Sequence, residues 1–185
     1  AARGEELFDL ARERGVELLF EASVCGGIPI VKVLRESLVG NRVSRILGIV
    51  NGTTNYMLSR MSGEGLGYAE ALAEAQAMGF AEADPTMDVG GADAAQKISL
   101  LASLAFGTWV DWTKVLCEGI TTVGAKDIVF ARSAGFEFKL LAAATEIDGR
   151  PLVTVYPAMV PVDHPLAAVR GEVNGVMVDS DFLGP

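Results

Sequence analysis

The fifteen residues from Ala92 to Phe106 carry only two charged side chains, Asp93 and Lys97. Around them stand Ala94, Ala95, Ile98, Leu100, Leu101, Ala102, Leu104, Ala105 and Phe106. A run this apolar at helical spacing, yet shorter than the roughly 20 residues that cross a bilayer, belongs inside a globular core. The rest of the chain has to supply layers that bury it on several sides. Asp93 and Lys97 are spaced i, i+4, so both project from one face of that helix, with the acid near its positive end. An ammonium at the start of a buried helix is costly to desolvate unless a carboxylate and a polar cavity receive it.

Two physical readings of the pair stand side by side. In one, Asp93 caps the helix, Lys97 snorkels to water and the acidic stretch before them is a solvated loop. In the other, Lys97 lies in a polar pocket as proton donor to, or charge stabiliser of, a carbonyl oxygen, while the surplus carboxylates recognise a cationic group such as an amine. A cation site built from Asp84, Asp88 and Asp93 is less well supported, because their spacing is not that of a calcium loop.

The remaining elements alternate without a strict βαβ rhythm. Glu5 to Glu13 reads as a helix stopped by Gly15, and Val16 to Val24 as a strand, together the last helix and strand of an α/β unit whose earlier part is expected to precede Ala1. Cys25-Gly26-Gly27-Ile28-Pro29 breaks that strand and starts a helix over Ile30 to Leu38. Arg42 to Val50 reads as a strand, and Asn51 to Asn55 as a turn whose threonines cap a helix reaching about Met61. Helices are predicted over Tyr68 to Met78 and Ala125 to Ser133, an acidic loop over Ala81 to Gly91, and an apolar stretch over Glu137 to Ile147. Val153 to Val160 and Val173 to Val178 read as strands. The pattern fits an α+β fold, a mixed sheet covered by helices.

A net charge of −9, from 15 Lys and Arg against 24 Asp and Glu, repels phosphate backbones and anionic lipid, so neither nucleic acid nor a membrane surface is an expected partner. Cys25 and Cys117 have no metal-ligand or disulfide-framework spacing, which fits a reducing cytoplasm. His164, between Asp163 and Pro165, reads as a turn residue, and Trp109 and Trp112 as packing or interface aromatics. Gly63-Glu64-Gly65-Leu66-Gly67 follows a helix with the wrong spacing for a dinucleotide turn and reads as a connecting loop.

Ala75, Gly79-Phe80-Ala81, Asp84-Pro85, Asp88-Val89, Gly91, Asp93 and Lys97 fall, within 23 residues, at the spacings of the homoserine dehydrogenase signature. Phe20 to Pro29, Asn51 to Asn55 and Asp163 to Ala167 resemble the same family, so the likeness covers nearly the whole chain. The resemblance implies NAD(P)H-dependent reduction of L-aspartate 4-semialdehyde to L-homoserine, and the reverse, in threonine and methionine biosynthesis. It places Asp93 and Lys97 at the reacting oxygen, Glu82 at the substrate's α-amino group, Gly52 and Thr53 along the pocket and Asp88 in support. Phe80 stands where many relatives carry tyrosine, so a hydroxyl contact there is lost. Gly26, Gly27, Ile28 and Pro29 would meet the dinucleotide. A sodium or potassium ion would lie among the Glu21 carboxylate and the carbonyls of Val24, Gly26 and Ile28; without the family, that segment is simply a Gly-Gly-Pro turn.

The resemblance further implies residues 1–24 as the end of a dinucleotide-binding domain and 25–185 as a substrate-binding, catalytic and dimerisation domain, with a homodimer expected. Because the family's nucleotide-binding residues precede and follow this stretch, the 185 residues alone are expected to fold but not to transfer hydride. The competing readings are a metabolite-binding or dimerisation module without catalysis, and another two-domain amino-acid dehydrogenase.

Overall fold

The computed structural model describes residues 3–184. A five-stranded mixed sheet has the order β2-β4-β3-β1-β5, formed by β1 (Val43–Ile49), β2 (Leu116–Cys117), β3 (Phe136–Ile147), β4 (Arg150–Pro161) and β5 (Gly175–Ser180). Every pairing is antiparallel except β2 with β4. β3 and β4 form a twelve-residue hairpin turned at Asp148 and Gly149, both left-handed, which is the two-residue Asp-Gly turn whose twist matches that of its strands.

The helices are α1 (Gly4–Arg14), α2 (Ile30–Lys32), α3 (Gly52–Glu64), α4 (Tyr68–Ala77), α5 (Thr86–Val89), α6 (Ala92–Phe106) and α7 (Ala125–Ser133). The apolar run opening the argument is α6, ended by left-handed Gly107. Its Ile98, Leu101 and Ala102 are fully buried and share one core with Ile46, Leu140, Ala142, Ala144, Val153 and Val155 of the sheet. Burying three such side chains contributes on the order of 5 kcal/mol before chain entropy is counted. A smaller cluster, Ile49, Leu141 and Leu166 with Leu47, Ala158 and Met177 against it, closes over the 3₁₀ turn Pro165–Ala168. His164 caps that turn, its Nδ1 accepting the Leu166 N–H at 3.2 Å.

Four sequence expectations change. No strand forms over Val16–Val24: residues 16–20 have no regular structure and Glu21–Ser23 is a 3₁₀ turn. Apolar content alone does not make a strand; a hydrogen-bonding neighbour is needed, and the sheet edges are taken by β2 and β5. The helix after Pro29 is α-helical only to Lys32, then widens into a π-helical turn, Val33–Ser37. The residue capping α3 is Asn51 rather than a threonine; its side chain accepts the Thr54 N–H. The acidic loop Ala81 to Gly91 also contains the single turn α5.

The first helix docks on the end of α6. Phe8 sits edge-on to Phe20, with ring centroids 5.2 Å apart, and tilted against Trp109 at 6.0 Å. Gly4 lies directly under the Trp109 ring, where any β-carbon would collide. Trp109 is thus a packing aromatic.

Candidate active site

Two backbone features bring the chemistry together. β1 ends at Ile49, and Val50-Asn51 crosses into α3 beneath the first turn of α6. Meanwhile Gly91, left-handed at φ 85°, lets the chain reverse from α5 into α6. A β-carbon at Gly91 would also lie 2.9 Å from the Cys117 Sγ, so only glycine lets the α6 start approach β2 this closely.

Lys97 Nζ donates to Asp93 Oδ2 at 2.7 Å and to the Val50 carbonyl at 3.1 Å. Its side chain is 24% exposed and that of Asp93 29%. The pair is therefore neither snorkelling freely nor sealed. An ammonium has three donors, and two are committed to the protein. The third N–H is available to a ligand.

Asn51, 4% exposed, donates from Nδ2 to Asp88 Oδ1 at 2.7 Å and to Asp93 Oδ2 at 2.9 Å. Asp88, Asp93 and Lys97 thus meet in one cluster; the i, i+4 spacing pointed to the contact of Asp93 with Lys97, and Asp88 joins it through Asn51. Thr53 lies beside it at the start of α3, its hydroxyl donating to the Phe80 carbonyl. Gly52 is pressed against the loop before β5, where a β-carbon would meet the Glu172 carbonyl oxygen at 2.7 Å. Phe80 is brought in by the end of α4 and packs on Tyr56, with centroids 4.7 Å apart. Glu82 is exposed, and its carboxylate engages no group among the described residues. Asp84 instead closes its own turn: the Thr86 hydroxyl and N–H donate to it and hold its carboxyl below the usual range.

A sequence model of the homoserine dehydrogenase family matches residues 29–185. The chain is 51% identical to the homoserine dehydrogenase of Synechocystis over its whole length, covering 43% of that protein. It is 45% identical to that of Pseudomonas aeruginosa, covering 42%. The chain belongs to the homoserine dehydrogenase family. A crystal structure of the homoserine dehydrogenase of Thiobacillus denitrificans superposes with a TM-score of 0.96 at 41% identity, over 99% of this chain and 42% of that one. A hyperthermophilic archaeal homoserine dehydrogenase solved in complex with NADPH gives 0.83 at 31% identity, over 98% of this chain and 52% of that one. The chain thus spans less than half the length of the curated relatives compared.

The remaining residues singled out from the sequence lie on the segment that precedes α2. Cys25 and Gly26 are both left-handed, with φ 57° and 54°. A β-carbon at Gly26 or Gly27 would meet nothing within 4 Å, and neither N–H donates to an acceptor among the described residues. Cys25 points the other way, into the core; burial pushes its thiol up to about 11, with Lys97 pulling it down and Asp93 adding to the rise. The thiol therefore lies close enough to feel both members of the pair.

The four oxygen donors considered for a monovalent cation divide into two kinds. The carbonyls of Val24 and Gly26 accept no protein hydrogen bond among the described residues. The Ile28 carbonyl accepts the Ile30 N–H at 2.8 Å, and Glu21 caps the helix start, accepting from Val31 N–H at 2.8 Å and Lys32 N–H at 2.9 Å. Lone pairs remain on all four, so the donor set suits a hard cation.

One residue of the cluster was not singled out from sequence. Asn51 was legible only as part of the Asn-Gly-Thr-Thr-Asn segment, because its partners Asp88 and Asp93 lie 37 and 42 residues further on.

Proposed function

We propose that this chain forms the substrate-binding and catalytic part of a homoserine dehydrogenase that interconverts L-aspartate 4-semialdehyde and L-homoserine with NAD(P)H, a step of threonine and methionine biosynthesis. The observation that carries this reading is the third donor of Lys97, left over after Asp93 and Val50 have taken two.

A nicotinamide bound along Gly26, Gly27, Ile28 and Pro29 supplies the hydride. Lys97 donates to the aldehyde oxygen and meets the charge that develops there, then yields a proton to form the alcohol; in the reverse direction it accepts that proton. Asp93 balances the ammonium and fixes its direction. Glu82 pairs with the substrate's α-ammonium, for which its unengaged carboxylate suits it. Gly52 and Thr53 line the pocket, Asp88 supports it, and Phe80 contributes a ring without a hydroxyl. A sodium or potassium ion held by Glu21, Val24, Gly26 and Ile28 would stiffen the turn on which the dinucleotide lies. Residues 1–24 form the end of the dinucleotide-binding domain and 25–185 the catalytic domain.

The sheet face away from α6 supports a homodimer. Leu152 and Tyr156, on the same face of β4, are 46% and 41% exposed, and Tyr156 borders a groove also lined by Leu47, Leu141 and Ala158. A second copy is the occupant that the family suggests, and a cytoplasmic enzyme fits the two unpaired cysteines.

The test is Lys97→Ala in the full-length protein, followed by loss of NADPH absorbance with aspartate semialdehyde. We expect kcat to fall by about 10³-fold with the circular dichroism spectrum unchanged. A wild-type protein without turnover, or a variant as fast as wild type, overturns the assignment.

A further inference from the structure

The Asn51 side chain uses every hydrogen-bonding position it has. Its Nδ2 serves Asp88 Oδ1 at 2.7 Å and Asp93 Oδ2 at 2.9 Å, while its Oδ1 accepts from Thr54 N at 2.9 Å and Thr54 Oγ1 at 2.8 Å. Turning the amide over would set its oxygen against two carboxylates and its NH₂ against the Thr54 N–H, so the orientation is fixed by its partners. Asp93 Oδ2 is thereby shared between two donors, the Asn51 amide and the Lys97 ammonium. Lys97 in turn donates to the carbonyl of Val50, the residue before Asn51. The result is a closed ring, Val50 carbonyl, Lys97, Asp93, Asn51, that clips the first turns of α6 to the β1–α3 junction at two consecutive residues.

Two consequences follow from the ring. Two carboxylates that would repel one another, Asp88 and Asp93, are held side by side by a neutral donor. And because Asp93 cannot swing without breaking the Asn51 bond, the ammonium it holds cannot turn its third N–H elsewhere. We propose that Asn51 is a positioning residue: acting through Asp93, it sets the direction of the Lys97 N–H that meets the substrate oxygen. This rests on the catalytic assignment of Lys97 above. Asn51 itself touches no reacting atom; its second duty, capping α3, is separable because it uses the other end of the amide.

Asn51→Ser makes that separation. Serine is a good helix cap, so it retains an acceptor for α3 while removing the donor to Asp88 and Asp93 and adding no charge. In the full-length protein, steady-state kinetics are compared for wild type, Asn51→Ser, Lys97→Ala and the double variant, with thermal unfolding recorded for each. We expect Asn51→Ser to lower kcat by about 10²-fold, the scale of a reacting group displaced by about an ångström, with KM within about 3-fold of wild type. In the Lys97→Ala background the same change should have no further effect on kcat, since the group it positions is gone. A merely structural role would instead lower the rate equally in both backgrounds, and that result overturns the proposal, as does a wild-type kcat in Asn51→Ser. If Lys97→Ala keeps its rate, the catalytic reading fails; if only Lys97→Ala loses it, the reading stands and the positioning role alone is lost. Should Asn51→Ser not fold, Asn51→Asp, which keeps the shape and the capping oxygens, goes through the same cycle with the same criteria.

Discussion

Two lysines are drawn into the body of this fold, and they are treated in opposite ways. Lys97 reaches a carboxylate, keeps about a quarter of its side chain in contact with solvent and has a donor to spare. Lys139, in the middle of β3, is 2% exposed and is held by neutral oxygens, Asn55 Oδ1 at 3.1 Å and the Val169 carbonyl. No carboxylate forms an ion pair with it among the described residues; Glu137, two residues away, is bound to Arg170 and Ser62. Burial pushes the Lys139 ammonium down to about 8, Glu137 acting against the shift and Arg170 with it. What separates the two is what each has left over. Lys97 has an N–H left over, a partly exposed side chain and its charge already balanced, which is what a proton donor needs. Lys139 faces only the protein, and ties three pieces of chain together. Through it and Asn55, which donates to the Val169 and Val173 carbonyls at 3.2 and 3.0 Å, the loop between β4 and β5 is stitched to α3 and β3.

Replacing each lysine should therefore break a different property. Lys139→Ala leaves the Asn55 carbonyl oxygen without its donor and opens a cavity, so we expect a loss of about 3 kcal/mol in stability by urea unfolding. Lys139→Met, which refills the volume, should recover about half of that. In both variants the kcat of folded full-length protein should stay within about 3-fold of wild type, against the collapse expected for Lys97→Ala. A Lys139 variant that is stable but slow would erase the distinction.

How much of this contrast could be read in the sequence follows the range of the interactions involved. α6 and α7 have the bounds their periodicity gives, because apolar spacing and a terminal glycine or an N-terminal acid are local signals. The pairing of Asp93 with Lys97 was legible for the same reason, being four residues apart. Lys139 was not, since it sits in a stretch, Glu137 to Ile147, that was legible only as apolar; its burial comes from Asn55 and Val169, 84 and 30 residues away. The two-residue strand β2 carries too few side chains to show alternation. Val16 to Val24 shows the reverse failure, an apolar run with no strand for a neighbour. In the site, the residue types were readable and the amide that binds them together was not.

The pH dependence of stability sharpens the comparison next. Lys139 has a folded value of about 8 against an ordinary value of 10.5. Between those pH values the unfolded chain holds a proton that the folded chain has released, so the Lys139 contribution to stability rises with pH, by at most about 3 kcal/mol. Below pH 8 both states are protonated and the burial penalty is felt in full. Cys25 works in the opposite sense. Its folded value of about 11 against 9.0 makes the folded chain the proton holder, so its contribution falls as pH rises through that interval. The cleanest window is therefore between pH 8 and 9. Urea unfolding of wild type should show stability rising there relative to Lys139→Met, and parallel curves for the two proteins would show that Lys139 is not buried as an ammonium.

The two thiols repeat the contrast of the lysines at lower stakes. Cys25 is 3% exposed beneath Asp93 and Lys97, and its thiol is pushed up to about 11. Cys117 lies on the exposed edge strand β2, its Sγ 3.4 Å from the Gly90 carbonyl, and is raised by burial as well. Thiolate, not thiol, attacks an alkylating agent, and the agent must also reach it. Iodoacetamide at pH 8 followed by peptide mass spectrometry should therefore label Cys117 slowly and Cys25 only once the chain is unfolded in urea. Because Cys25 lies close to Asp93 and Lys97, its protection also reports whether that floor stays closed. Labelling of Cys25 in the folded protein at a rate matching Cys117 would mean that the turn at Cys25 and Gly26 opens, and that the ammonium of Lys97 is held from above alone.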